Sequence, residues 1–164
     1  MGTEIERKYL VNQEKWRSHK ELLQNQLLIQ GQKYCQGYIL ANNETTVRVR
    51  IAGEQAYLTI KSKTIGHTRA EFEYPIPIQD AQEMLNNLCI KPLIEKFRYK
   101  IKIDNLIWEV DEFEGENQGL IIAEVELENE AQSIDIPHWI EREVNEQKYF
   151  NFYLVKHPYS QWQD

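Results

Sequence analysis

The stretch TEIERKYLV, residues 3–11, decides the fold. Read as a strand, it sends alternate side chains to opposite faces. Glu4, Glu6 and Lys8 then share one face, and Ile5, Arg7, Tyr9 and Val11 share the other. On a surface strand the charged face looks out at water. In a closed sheet it looks into a site. The other segments of the chain bear on which of the two holds.

Strand-like segments fall at roughly 3–11, 32–41, 46–52, 56–64, 69–78, 96–104, 106–113 and 120–128. ANNE at 41–44, AGEQ at 52–55 and DN at 104–105 are turn signals between neighbours, and short connections imply antiparallel pairs. The charged face recurs in seven of the eight segments. VRVRI sets Arg48 and Arg50 against Val47, Val49 and Ile51, and YLTIKSK sets Lys61 and Lys63 against Leu58 and Ile60. EFEYPI sets Glu71 and Glu73 against Phe72, Tyr74 and Ile76. KFRYKIKI sets Lys96, Arg98, Lys100 and Lys102 against Phe97, Tyr99, Ile101 and Ile103. WEVDEF sets Glu109 and Asp111 against Trp108 and Val110, and AEVELE sets Glu124, Glu126 and Glu128 against Ala123, Val125 and Leu127. Each strand tends to carry one sign of charge.

Helical segments interrupt the series. Residues 13–26 read as a helix with Trp16, Leu22 and Leu23 as apolar contacts, and 79–88 as a second with Asp80 as its cap. Pro137 suits a first helical position, so about 137–157 reads as a C-terminal helical segment, helix or helix plus turns. The 164 residues suit a single domain, 1–164, with a real core. Acids outnumber bases 26 to 19, for a formal charge of -7, which disfavours nucleic acid as a partner. Cys35 and Cys89 lack metal-type spacing and read as free thiols. No apolar h-region and no membrane-length apolar run is visible, so a cytoplasmic protein without a membrane partner is expected.

Two architectures fit. Apolar faces could meet inside a sandwich, with the charges solvated. Alternatively the sheet closes with charges inward and helices packed outside. The second is favoured. Helices need an apolar surface to rest on, a solvated face needs no such dense and sign-sorted array, and eight strands suffice to close a barrel. The expected fold is therefore mainly β (α+β), a closed eight-stranded antiparallel barrel. An outer-membrane barrel is disfavoured by the interspersed amphipathic helices.

Such a tunnel has two walls. Arg48, Arg50, Lys61, Lys63, Lys96 and Arg98 suit phosphate oxygens. Glu4, Glu6, Asp111, Glu124 and Glu126 suit a hard divalent cation, Mg²⁺ or Mn²⁺. Together they point to a polyphosphate gripped by bases on one side and through metal on the other.

EIERKYLV resembles the ExExK signature of the CYTH superfamily, the triphosphate tunnel metalloenzymes. QGYI (36–39), VRVR (47–50), LTIK (58–61), EFEYPI (71–76), KFRY (96–99), WEVDEF (108–113) and AEVEL (123–127) follow in that family's order. The resemblance implies a tunnel fold that binds a triphosphate with divalent metal and usually hydrolyses it. Tripolyphosphatases, thiamine triphosphatases, RNA triphosphatases and one class of adenylate cyclase are among the members. It implies metal roles for Glu4, Glu6, Glu124 and Glu126, and a further metal or water role for Asp111. It implies phosphate contacts from Lys8, Arg48, Arg50, Lys61, Lys96 and Arg98. Lys63 and Lys100 share the face by parity alone. Glu71 and Glu73 match acids that support the bases or a second metal, or serve as internal ion-pair partners. Lys8 and Tyr38 are the candidates nearest the chemistry, with Tyr38 also readable as a tunnel-lining aromatic. NEQKYFN (145–151) resembles the family's closing segment, with Lys148 where Arg often stands.

The expected partner is inorganic tripolyphosphate or an organic triphosphate, and a homodimer is compatible with the sequence. A hydrolase of tripolyphosphate is preferred. A binding module without turnover would not need so many carboxylates, and a cyclase would need a base-and-ribose pocket that nothing here marks. The histidines 19, 67, 138 and 157 show no ligand spacing, and the four tryptophans read as packing aromatics.

Overall fold

Period-two alternation builds nine strands, seen in a computed structural model of the protein that describes residues 2–162. They are β1 (Thr3–Val11), β2 (Gln32–Ala41), β3 (Thr45–Ala52), β4 (Gln55–Ser62), β5 (Thr68–Ile76), β6 (Ile94–Ile103), β7 (Leu106–Phe113), β8 (Ile121–Glu126) and β9 (Ile140–Glu143). Helix α1 (Gln13–Asn25) follows β1, α2 (Ile78–Asn87) follows β5, and the short α3 (Asn151–Leu154) follows β9. The turns explain the tight connections. Asn42 Oδ1 accepts from the backbone N–H of Glu44 and Thr45, both at 2.8 Å, and so closes the β2–β3 turn. Gly53 takes φ +62° between β3 and β4, which glycine adopts without steric cost.

The strand order is β5-β4-β3-β2-β6-β7-β8-β1, and pairing of β5 with β1 shuts the ring of eight. Thr3–Ile5 of β1 face Ala70–Thr68, while Glu6–Leu10 face Glu126–Ile122 on the other edge. Beyond the reach of β5, β9 takes over the free edge of β1, pairing Tyr9 with Glu143. All pairings are antiparallel, and their register sets the charged residues across from one another: Lys8 beside Glu124, Arg98 beside Asp111, Lys61 beside Glu71.

The apolar faces point outward, under the helices. Trp16 of α1 packs edge-on to Tyr99 and Trp139, which in turn meets Trp108 at 5.8 Å. These buried rings cover the outer face of β1, β6, β7 and β8. Ala81 and Leu85 of α2 cover Val49 and Ala56. Leu23 joins the first cluster, but Leu22, expected as a contact, is exposed. Asp80 makes no cap: Pro77 holds that position, and Asp80 sits in the first turn, where a carboxylate favours the positive helix end. Cys35 and Cys89 are free thiols. Among the described residues no helix is long and apolar enough to cross a membrane.

Three features depart from the sequence reading. The helices leave part of the outside bare, so Phe72 and Tyr74 on β5 are half exposed. The segment 137–157 is mostly not helical, because residues 140–143 gain ladder hydrogen bonds as β9 on an open edge of β1. Finally, the inward face is not charged throughout. At the end where β1, β2 and β7 finish and β6 and β8 begin, Leu10, Tyr38, Ile94, Phe113 and Ile122 turn inward. Tyr149, Leu154 and Val155 pack onto them. This apolar floor anchors the C-terminal segment against the tunnel.

Candidate active site

Among the described residues eight charged side chains are buried within the ring: Glu4, Lys8, Arg48, Lys61, Lys96, Arg98, Asp111 and Glu124. A lone charge there would cost several kcal/mol, so their partners decide whether the arrangement holds. Lys61 Nζ donates to Glu4 Oε1 and Oε2 at 3.2 and 3.3 Å, and Arg69 Nε to Glu4 Oε1 at 2.9 Å. Lys8 Nζ donates to Glu124 at 2.5 Å. Arg98 donates to both oxygens of Asp111 at 2.7 and 2.8 Å and to Glu124 at 3.2 Å, while Lys96 donates to Asp111 at 2.7 Å. Arg48 reaches Thr59 at 3.2 Å, and its Nε is buried without a partner. Arg50 Nε donates to Gln36 at 2.8 Å.

These side chains enclose a cavity of about 190 Å³ lined by Glu4, Glu6, Lys8, Tyr38, Arg48, Arg50, Lys61, Glu71, Glu73, Lys96, Arg98, Glu124 and Glu126. It adjoins an outer chamber of about 620 Å³, which shares Glu4, Glu6, Lys8 and Arg69 and runs past Asn42, Lys63 and His67. Thirteen of the expected site residues therefore line one space. Two do not. Lys63 lies past the end of β4, is exposed, and lines only the outer chamber. Asp111 lies behind the wall, almost wholly buried, with both oxygens given to Arg98 and Lys96. Lys100 is also at the surface, 3.8 Å from Glu109. Lys148 stays outside the tunnel, its ammonium over the Trp162 ring at 4.6 Å.

Several lining residues are absent from the expected set. Arg69 and Glu109 share the parity of the charged faces, so the alternation of β5 and β7 could have found them. Thr46, and the buried Gln36 and Thr59 next to the lining, carry no charge and so give no sign-sorted signal. Phe150, Asn151 and Phe152 arrive from the tail, with Phe150 5.2 Å from Lys8 Nζ. His67 bridges Glu130 and Glu143 at 2.9 and 3.1 Å, tying the loop after β8 to β9.

The electrostatics are uneven. Burial raises Glu4, but Lys61 and Arg69 hold it at about 2. Burial likewise opposes ionisation of Glu124, yet Lys8 and Arg98 hold it well below the usual carboxylate range. Glu6 differs. Burial and then the neighbouring Glu124 and Glu4 push its carboxyl well above that range. On the opposite wall burial draws Lys96 down to about 7 against the pull of Asp111, and burial with Arg48 and Arg98 draws Arg50 down. One wall is crowded with negative charge and the other with positive.

Carboxylates forced together suit a hard cation, which removes their repulsion and takes oxygen donors. Among the described residues no three carboxylate or imidazole groups already converge on one point. Glu4 and Glu124 are held by bases instead, and would have to exchange those partners to bind metal.

A closed antiparallel barrel whose interior opposes carboxylates to guanidinium and ammonium groups defines a class, proteins that bind a polyanion inside the sheet itself. This chain belongs to the CYTH domain family, whose model matches residues 2–152. It is 44% identical over the full length of both chains to an inorganic triphosphatase of Acetivibrio thermocellus. A second inorganic triphosphatase, from Nitrosomonas europaea, is 34% identical over 69% of this chain and 76% of its own. A crystal structure of an inorganic triphosphatase superposes with a TM-score of 0.59 at 27% identity, over 93% of this chain and 97% of that one. A protein of Pyrococcus horikoshii OT3 superposes at 0.57 with 19% identity, over 93% and 97% of the two chains, a likeness of fold alone.

Proposed function

We propose that the protein is a hydrolase that cleaves a triphosphate in its tunnel, with inorganic tripolyphosphate the preferred substrate and Mg²⁺ or Mn²⁺ the required cation. The observation that carries this reading is the opposition of two buried walls, with Lys96 and Arg50 drawn down by burial and neighbouring bases on one side and Glu6 pushed up by burial and neighbouring acids on the other. The full-length identity to an inorganic triphosphatase supports it.

Arg48, Arg50, Lys61, Lys96 and Arg98 bind phosphate oxygens. The Nε of Arg48 is buried without a hydrogen-bond partner, a cost that a bound phosphate oxygen would remove. Asp111, whose two oxygens are taken by Lys96 and Arg98, orders those bases for their task. Glu4, Glu6, Glu124 and Glu126 are the residues that would hold a divalent cation. Bound there, a cation supplies Lewis acidity and lowers the pKa of a water that attacks phosphorus.

The internal ion pairs make the exchange balanced. As Glu4 and Glu124 turn from Lys61, Arg69, Lys8 and Arg98, those cations become free for phosphate oxygens. Acids and bases thus change partners together, and neither wall is left uncompensated. Lys8 lies on β1 with Glu4 and Glu6, so it can hold an oxygen of the reacting phosphoryl group beside the acids. Tyr38, buried with its hydroxyl 3.5 Å from Gln36 Nε2, lines the same space.

The test is kcat/KM for tripolyphosphate, ATP and pyrophosphate under one metal condition. Tripolyphosphate should be turned over fastest, because its non-reacting phosphates fill the basic wall and position the third. Pyrophosphate should be poor, since it leaves part of that wall empty. Preference for ATP with a cyclic nucleotide as product would overturn the assignment in favour of a cyclase.

A further inference from the structure

Among the described residues, the C-terminal segment hydrogen-bonds to the basic wall through one polar side chain. Tyr149, Leu154 and Val155 seat it on the apolar floor, and this leaves Asn151 in the cavity wall. Asn151 Oδ1 accepts from Lys96 Nζ at 3.0 Å and from Gln36 Nε2 at 3.2 Å. Gln36 is wholly buried, and its Oε1 accepts from Arg50 Nε at 2.8 Å. The chemistry fixes every orientation in this chain. Arg50 and Lys96 only donate, so Gln36 must turn its oxygen to Arg50 and its nitrogen to Asn151, and Asn151 must present oxygen to both donors. One acceptor on α3 thereby holds one base directly and a second through an amide.

We propose that Asn151 is a positioning residue for triphosphate binding, fixing Lys96 and, through Gln36, Arg50 at the spacing the phosphates require. This rests on the reading of the tunnel as a triphosphate site. An amide is suited to the task. It accepts from Lys96 without adding a negative charge that would compete with phosphate. Its own nitrogen donates to no group among the described residues and stays available in the cavity wall. A carboxylate in its place would neutralise Lys96 and repel the ligand. An apolar residue would free both donors to wander, at the cost of ordering them again on binding.

The test compares wild type, Asn151→Leu, Gln36→Leu and the double variant. Three quantities are read: KM and kcat for tripolyphosphate with metal, and the Kd for tripolyphosphate by calorimetry in chelator. Loss of a hydrogen bond to a charged group predicts a rise of about tenfold in KM and Kd for Asn151→Leu, with kcat within about twofold. Because both residues act on Arg50 along one chain, the double variant should cost clearly less than the product of the single effects. A fall in kcat at unchanged KM and Kd, or fully multiplicative effects, would overturn the proposal, since Asn151 would then serve only the integrity of the fold. Asn151→Ala replaces Asn151→Leu should the larger side chain prevent folding. Failure of the hydrolase reading is separable: a wild type that binds tripolyphosphate without releasing phosphate refutes turnover, while the Kd comparison still judges Asn151. A wild type that does not bind tripolyphosphate overturns both.

Discussion

Lys96 has no exposed surface, yet it is a lysine between Asp111 and Asn151. Burial, with Arg98 and Arg50 nearby, draws its pKa to about 7 although Asp111 pulls the other way. A bound polyanion favours the ammonium and raises that value. The protonated fraction of the free protein falls as pH rises through about 7, while the complex stays protonated to higher pH. Affinity is therefore full below about 7 and is lost above it, by at most about tenfold per pH unit for one proton. Calorimetry in chelator should show tripolyphosphate binding weaken from pH 7 to 9. The ligand's own ionisation acts in the opposite direction, so the wild-type profile is read against that of Lys96→Met, and parallel profiles would contradict this account of Lys96. Glu6 is the counterpart on the other wall, a carboxyl pushed well above the usual carboxylate range by burial, Glu124 and Glu4. On the proposed reading, its replacement by Gln removes one donor to the cation.

At the scale of elements, β3 poses the question of inside and outside most sharply. Val49 is fully buried beneath Ala81 and Leu85 of α2, and Arg50, one residue on, faces the cavity. Val49→Asp should unfold the protein or cost several kcal/mol in urea denaturation, because it buries an unpaired carboxylate. Arg50→Ala should leave the denaturation midpoint close to wild type and weaken tripolyphosphate binding. An Arg50→Ala protein with unchanged affinity would return Arg50 to solvent and refute the inward tunnel.

The same strand shows why so much was legible. With a period of two, the side of Val49 fixes the side of Arg48 and Arg50, and one buried face constrains the register of its neighbours. Charge stops marking the inward face where side-chain type changes along it. Leu10, Ile94, Phe113 and Ile122 share the inward face with charged residues but form its apolar floor. Nothing in the sequence separates them from outward apolar positions except their place at strand ends. β9 was hidden because Ile140–Glu143 is short and pairs by taking an edge of β1 that only closure of the ring leaves open. Asn151 was hidden because its role is set by where Leu154 and Val155 dock, which is a tertiary fact.

For the whole molecule, the ring of eight strands spends its interior on charge and its exterior on packing, the reverse of an ordinary sandwich. Internal ion pairs make that tolerable in the free protein. Glu4 with Lys61 and Arg69, and Glu124 with Lys8 and Arg98, keep the two walls neutralised across the tunnel. The central claim is that these pairs are exchanged for a triphosphate and a divalent cation, and that the exchange leads to hydrolysis. The direct measurement is phosphate release from tripolyphosphate by wild type and Glu6→Gln, each with Mg²⁺ or Mn²⁺ and with chelator, with binding of tripolyphosphate measured on the same samples. The account predicts release by wild type only when metal is present. It predicts a Glu6→Gln protein that is folded and binds tripolyphosphate, yet loses at least the tenfold to hundredfold in metal affinity that weaker, outer-shell changes already cost. Release that persists in chelator, or that is unchanged in Glu6→Gln at limiting metal, would contradict it. So would tight tripolyphosphate binding by wild type with no phosphate released under either metal.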